Sequence, residues 1–165
     1  MAWKARGLHI QARREFAGLG AFAAFTEGLA VEADKVFYTG LGPVAENIKK
    51  HAVAVVGDES KLKPLAPSTI ADKEAKGYQF PDAPLIATGE MRASISAFYF
   101  PGVPQAMVGS PDVKLLWHHL GARTGRNHAS TLPSRPVLDF AVRESEAENI
   151  IMMEQAAGQA LGILI

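Results

Sequence analysis

The chain has 165 residues, with 17 lysines and arginines against 17 aspartates and glutamates and no cysteine. That length suits one domain, residues 1–165, able to bury a core without staples. The charge balance leaves no whole-molecule field to gather nucleic acid or an anionic membrane, and the missing thiols exclude disulfides, thiolate metal sites and a cysteine nucleophile.

Near the N-terminus, Lys4 and Arg6 are followed by Arg13, Arg14 and Glu15 instead of an apolar run, so no secretory signal is expected. The most apolar window, Phe16 to Val31, is interrupted by Gly18, Gly20, Thr26, Glu27 and Gly28, and no membrane span is expected. Phe22, Phe25, Leu29, Ala33 and Val36 recur at spacings of three and four, which predicts a helix from about Gln11 to Tyr38. Thr39-Gly40-Leu41-Gly42-Pro43 reads as a break, with Pro43 opening a second helix through Val44, Ile48, Ala52, Val55 and Val56 that Gly57 ends. Residues 1–57 are therefore expected to form a helical hairpin.

Residues 58–136 are expected to carry a mixed helical and extended region. Ser68 or Thr69 is positioned to cap a short helix through Lys76, with Gly77 terminating it, and Pro81 and Pro84 then favour an extended loop. A helical turn follows Thr88-Gly89, Ser94 to Phe100 suits a strand, and Gln105 to Gly109 is placed to pair with it across Pro101-Gly102. Val113, Leu116, Trp117 and Leu120 mark one face of a further helix. Gly121 to Pro136, rich in turn formers and cations, reads as a long mobile loop. A long helix from about Val137 to Leu161 closes the chain, and the class expected is α+β: helical hairpin, small antiparallel sheet, long C-terminal helix.

Patterns that would carry chemistry fail on spacing. Adjacent His118 and His119 diverge on a helix and lie across a glycine-rich segment from His128, so no metal site is expected. Ser94 and Ser96 lack a nucleophile elbow. Gly121-Ala122-Arg123-Thr124-Gly125-Arg126 has the wrong glycine spacing for a phosphate loop, and no Lys-Ser/Thr follows it. Asp139, Glu144, Glu146, Glu148 and Glu154 are spread along a helix as a solvated face. No enzyme activity and no cofactor are expected. Arg123, Arg126, His128 and Arg135 make a cationic patch of the kind that meets phosphates, but without interleaved aromatics or a recognition helix; a DNA-binding module using this segment is the alternative reading.

Four segments in order carry a resemblance: Pro64-Leu65-Ala66-Pro67-Ser68-Thr69 with Lys73; Pro84-Leu85-Ile86-Ala87-Thr88-Gly89-Glu90-Met91-Arg92-Ala93-Ser94-Ile95; Val108-Gly109-Ser110 with Trp117-His118-His119-Leu120-Gly121; and Pro133-Ser134-Arg135-Pro136-Val137-Leu138. This order resembles the tailed-phage neck and tail-completion family, the virion morphogenesis or head-tail joining proteins, over about residues 62–145. Leu115-Leu116-Trp117 stands where that family has a tyrosine-alanine pair. The residues carrying the pattern are Leu85, Thr88, Gly89, Arg92, Ser94, Ile95, Gly109, His118, Gly121, Arg135 and Pro136.

The resemblance implies a non-enzymatic α+β subunit of a virion ring, hexameric or dodecameric, placed in the neck or at the tail end and assembled in the host cytoplasm. Its neighbours would be adaptor, terminator or tail-tube proteins, and the genome would pass through the ring without sequence-specific binding. A tail terminator ring is the near alternative. Rings need contacts between different faces of one subunit. Arg13 and Arg14 at one end, Glu144 and Glu148 on the last helix, and Arg123 and Arg126 on the loop are the expected contact residues.

Overall fold

The computed structural model describes residues 19–160 except for 101, 102, 104, 126 and 128, together with the backbone but not every side chain of the first helix. Two long helices form its spine: α1 (Leu19–Val55) and α5 (Val137–Ala160). They run antiparallel, as the pairings Gly40 with Met153 and Ala156, Asn47 with Glu148 and Asn149, and Lys61 with Glu144 require. The fold class is α+β and mostly helical, as expected, with the long C-terminal helix in place.

The expected hairpin turn at 39–43 is absent, because α1 runs unbroken through Pro43. Gly40 serves a close approach instead of a turn: a Cβ there would lie 2.7 Å from the Met153 sulfur and 3.1 Å from the Ala156 methyl. Packing against α5 outweighs the local cost of a proline inside a helix. The predicted stretch Gln11–Gly18 and the side chains of Phe22, Phe25, Leu29, Ala33 and Val36 lie outside the described residues. Gly57 does end the helix region, at φ +95° with its α-carbon against Ile86.

Core packing starts where α1 and α5 meet. Ala52, Val55 and Val56 cluster with Val137 and Ala141, Leu62, Met91, Ile95 and Leu115 complete the cluster from the connecting region, and Ala45 and Ala156 are buried further along the two helices. Burying side chains the size of Val55, Val137 or Ile95 contributes about 1.5–3 kcal/mol each. One polar seam crosses this spine. The Ser145 hydroxyl, fully buried, donates to the Ala141 carbonyl at 2.8 Å, Asn149 donates to Ser145 at 2.9 Å, and Asn47 reaches both Asn149 and Glu148.

Between the spine helices lie α2 (Pro67–Ala75), α3 (Glu90–Ala93), β1 (Ser96–Tyr99), β2 (Ala106–Gly109), α4 (Val113–Leu120), β3 (Ala122–Thr124) and β4 (Ser130–Leu132). The N-cap of α2 is Ala66, with Pro67 as first residue, instead of Ser68 or Thr69. Proline's fixed φ and absent N–H suit that first position, so no side-chain cap is required. Strands β1 and β2 pair antiparallel with Phe98 opposite Met107 and Ser96 opposite Gly109, the pairing the sequence indicated.

The segment expected to be a mobile loop at 121–136 contains a second hairpin. Ala122, Arg123 and Thr124 face Leu132, Thr131 and Ser130, with Gly125 and Asn127 supplying the positive φ values of the connection. Threonines suit the paired backbone, and a glycine and an asparagine suit the turn. No helix among the described residues is long and apolar enough to cross a membrane.

Candidate functional site

The resemblance segments come together in space as one hydrogen-bonded frame. Pro84 is fully buried, and Leu85 next to it holds φ +67°, a left-handed shape that costs a branched residue about 1–2 kcal/mol. This kink seats Ile86 over Gly57 and brings Thr88 and Gly89 to the start of α3. Gly89, at φ +85°, is the N-cap, while the Thr88 hydroxyl accepts only a long 3.4 Å bond from the Glu90 amide. Met91 and Ile95 enter the core and Arg92 stays exposed.

Ser94 ties this segment to the next. Its hydroxyl donates to the Met91 carbonyl at 2.7 Å and shares a 2.6 Å hydrogen bond with the Ser110 hydroxyl. Ser110 in turn accepts from the Asp112 amide, and the Asp112 carboxylate accepts from the Lys114 amide to cap α4. From the far end of α4 the backbone of His118 accepts from the Arg135 amide at 2.6 Å, and the His119 carbonyl accepts from Ser134 at 2.6 Å. Gly121 permits this crossing: at φ +80°, its added Cβ would lie 3.0 Å from the Leu132 carbonyl oxygen.

Two buried cations lock the frame through backbone carbonyls. Arg135, 3% exposed, donates from Nε to the Lys63 carbonyl at 2.9 Å and from Nη2 to the Pro64 carbonyl at 3.1 Å. Lys73 donates to the carbonyls of Phe80 and Ala83 at 2.9 and 2.8 Å and folds the proline-rich loop back on α2. Burial lowers the pKa of both. Charge-assisted bonds to carbonyls offset the desolvation cost that a bare buried cation would incur. The latching role of Lys73 was not read from the sequence, since the signal is only the run of prolines it must hold.

A shallow, almost wholly apolar recess of about 220 Å³ opens beside this frame, lined by Leu65, Leu85, Ile86 and Met91 with Lys73, Lys114 and His118 at its edges. Burial, then the Arg135 cation, lowers the His118 pKa below its ordinary 6.5. Its Nδ1 and that of His119 are buried and have no hydrogen-bond partner among the described residues. The two rings diverge, as expected: His119 Nε2 faces Asp139 at 3.6 Å and His118 faces the recess. Among the described residues no group of three histidines, aspartates and glutamates could hold a metal ion.

The predicted contact residues fare differently. Arg13, Arg14 and Arg126 lie outside the described residues, and Arg123 is exposed on β3. Arg135 is withdrawn from the cationic patch into the frame. Glu144 is engaged within the chain, 2.8 Å from Lys61 and 3.7 Å from His51. Glu148 accepts from Asn47 at 2.9 Å and lies 3.4 Å from His51, and these hydrogen bonds lower its pKa.

What the molecule presents outward is apolar on two elements in succession. Val113, Leu116, Trp117 and Leu120, the face that sequence spacing marks on α4, are at least half exposed, while Leu115 alone on that helix is buried. On the β1–β2 hairpin, Tyr99 and Val108 turn toward α1, with Tyr99 donating to Glu46 at 3.1 Å. Phe98, Phe100 and Met107 stay exposed on the other side. An antiparallel sheet with one covered face ordinarily shows polar residues on the open one. Comparison with protein-family models, with curated proteins and with solved structures gives no match to this chain.

Proposed function

We propose that this chain is a structural subunit of a tailed-bacteriophage virion, one copy of a ring in the neck that joins head to tail or completes the tail. The observation that carries this reading is the exposed apolar side chains on α4 and on the outer side of the β1–β2 hairpin, because exposed apolar patches mark places that another protein covers. The resemblance segments support it from another side: they are spent on holding the frame, as fits a chain whose task is shape and adhesion. A tail terminator ring is the nearest variant of the same reading, and adaptor, terminator and tail-tube proteins are the neighbours proposed, with no cofactor and no catalysis.

Purified particles test this directly. The chain is expected in intact virions at a ring-like copy number, with antibody labelling at the neck or the tail end. Its absence from purified particles would overturn the assignment. The DNA-binding alternative loses Arg135, and a gel-shift titration in which affinity for DNA falls steeply with salt would be needed to restore it.

A further inference from the structure

The recess beside the motif frame takes no part in the ring-subunit reading, and its chemistry is that of a ligand site. Leu65, Leu85, Ile86 and Met91 give it apolar walls around about 220 Å³. A cavity of about 150 Å³ lined by aliphatic and aromatic side chains already holds benzene, so this space suits a single ring or a short branched alkyl chain. Leu85 on its wall is held at φ +67°. Backbone strain of that kind persists where the surroundings over-determine it, and it gathers at ligand sites.

Hydrogen-bond donors border the same space. Lys73, only 7% exposed, gives two of its three ammonium protons to the Phe80 and Ala83 carbonyls, and the third has no partner among the described residues. Asp82 and Glu59 act on this ammonium from a distance, and neither lines the recess. His118 has its Nδ1 buried, so Nε2 is the ring nitrogen open to a ligand. The Lys114 side chain is 59% exposed and stands 3.6 Å from the Asp112 carboxylate. Glu90, exposed, is the one carboxylate on the lining. Two lysines and a histidine against one solvated carboxylate favour an anion, and the apolar walls favour one that carries its own apolar body.

We propose that this recess binds a small carboxylate with a compact apolar body, of the arylacetate or branched short-chain class, its body against Leu85, Ile86 and Met91 and its carboxylate toward Lys73, Lys114 and His118. Charge and apolar contact act together in such a site. A neutral molecule of the same shape gains only the walls, an amine meets cations, and a carboxylate without a body gains only the exposed edge, where water competes with it.

Saturation-transfer NMR and calorimetry on the full-length protein test this with phenylacetate, phenylacetamide, phenethylamine and acetate. Phenylacetate is expected to bind with a Kd on the order of 1 mM or below, and each of the other three about tenfold or more weaker. Ala87→Phe, at an exposed position on the lining, fills the recess and is expected to weaken phenylacetate about tenfold or more. Lys114→Glu, also at an exposed side chain, is expected to weaken it about fivefold. Neither substitution touches the buried Lys73 latch, and far-UV circular dichroism checks the fold of both. Phenylacetamide or phenethylamine binding as tightly as phenylacetate, unchanged affinity in either variant, or no phenylacetate binding at about 10 mM would each overturn the site. Absence of the chain from virions refutes the virion assignment and leaves the site standing, and failure of the site leaves the virion assignment standing.

Discussion

Arg135 shows how much of the frame one side chain holds. Its guanidinium bridges the carbonyls of Lys63 and Pro64, so Arg135→Ala removes two charge-assisted hydrogen bonds made by a buried side chain and is expected to cost about 3 kcal/mol in urea unfolding. Arg135→Lys is expected to recover less than half, since an ammonium is a point donor and does not span both carbonyls as a planar fork does. His118 makes the adjoining region sensitive to pH. Its folded pKa lies below the unfolded value of 6.5, so the unfolded chain binds the proton first and stability falls as pH drops below about 6.5. A melting temperature lower at pH 5 than at pH 7, with the difference reduced in His118→Gln, is the expected result. Glu148 acts in a separate window: its lowered pKa contributes stability above the ordinary 4.5 that is lost as pH falls through the folded value. The charged pattern at Glu144 and Glu148 was legible in the sequence, but their partners His51, Lys61 and Asn47 lie far off along the chain, and only the antiparallel spine brings them into reach.

At the scale of elements, Pro43 separates local from tertiary control. Thr39-Gly40-Leu41-Gly42-Pro43 has every local mark of a turn, yet α1 continues through it, with Gly40 letting α5 approach to Met153 and Ala156. Pro43→Ala restores an amide to the helix and is expected to raise stability by about 1–3 kcal/mol in thermal melts followed by circular dichroism. A chain that turned at Pro43 would lose a well-placed first helical residue, and the same substitution would lower the midpoint. The β1–β2 pairing was readable from the β-branched and aromatic content of the two segments, while the Pro101-Gly102 turn expected between them lies outside the described residues, and Gly57 and Gly77 end their helices as their positions indicated. The β3–β4 hairpin was not readable, because three-residue strands carry too little alternation to stand out from a loop rich in glycine and arginine.

For the whole molecule, order is expected to be uneven along the spine. Helix α5 lies beside α1 from Gly40 onward, while Leu19 and Val31 in the preceding part are exposed. Amides of residues 19–35 are therefore expected to exchange with solvent roughly a hundredfold or more faster than those of 45–55 in the free protein, read by hydrogen exchange with mass spectrometry. The apolar spacing of Val113, Leu116, Trp117 and Leu120 is visible in the sequence, and it marks a helix correctly, but period alone does not say whether a stripe faces its own core or another molecule. By itself the sequence determined the class, the last helix, the first strand pair and the order of motif segments, because these follow from local periodicity and turn chemistry. Only the tertiary structure decided that the first helix is unbroken, that Arg135 and Lys73 are latches, and that the α4 stripe faces outward, because each depends on what the fold places opposite a residue across distances that local patterning does not encode.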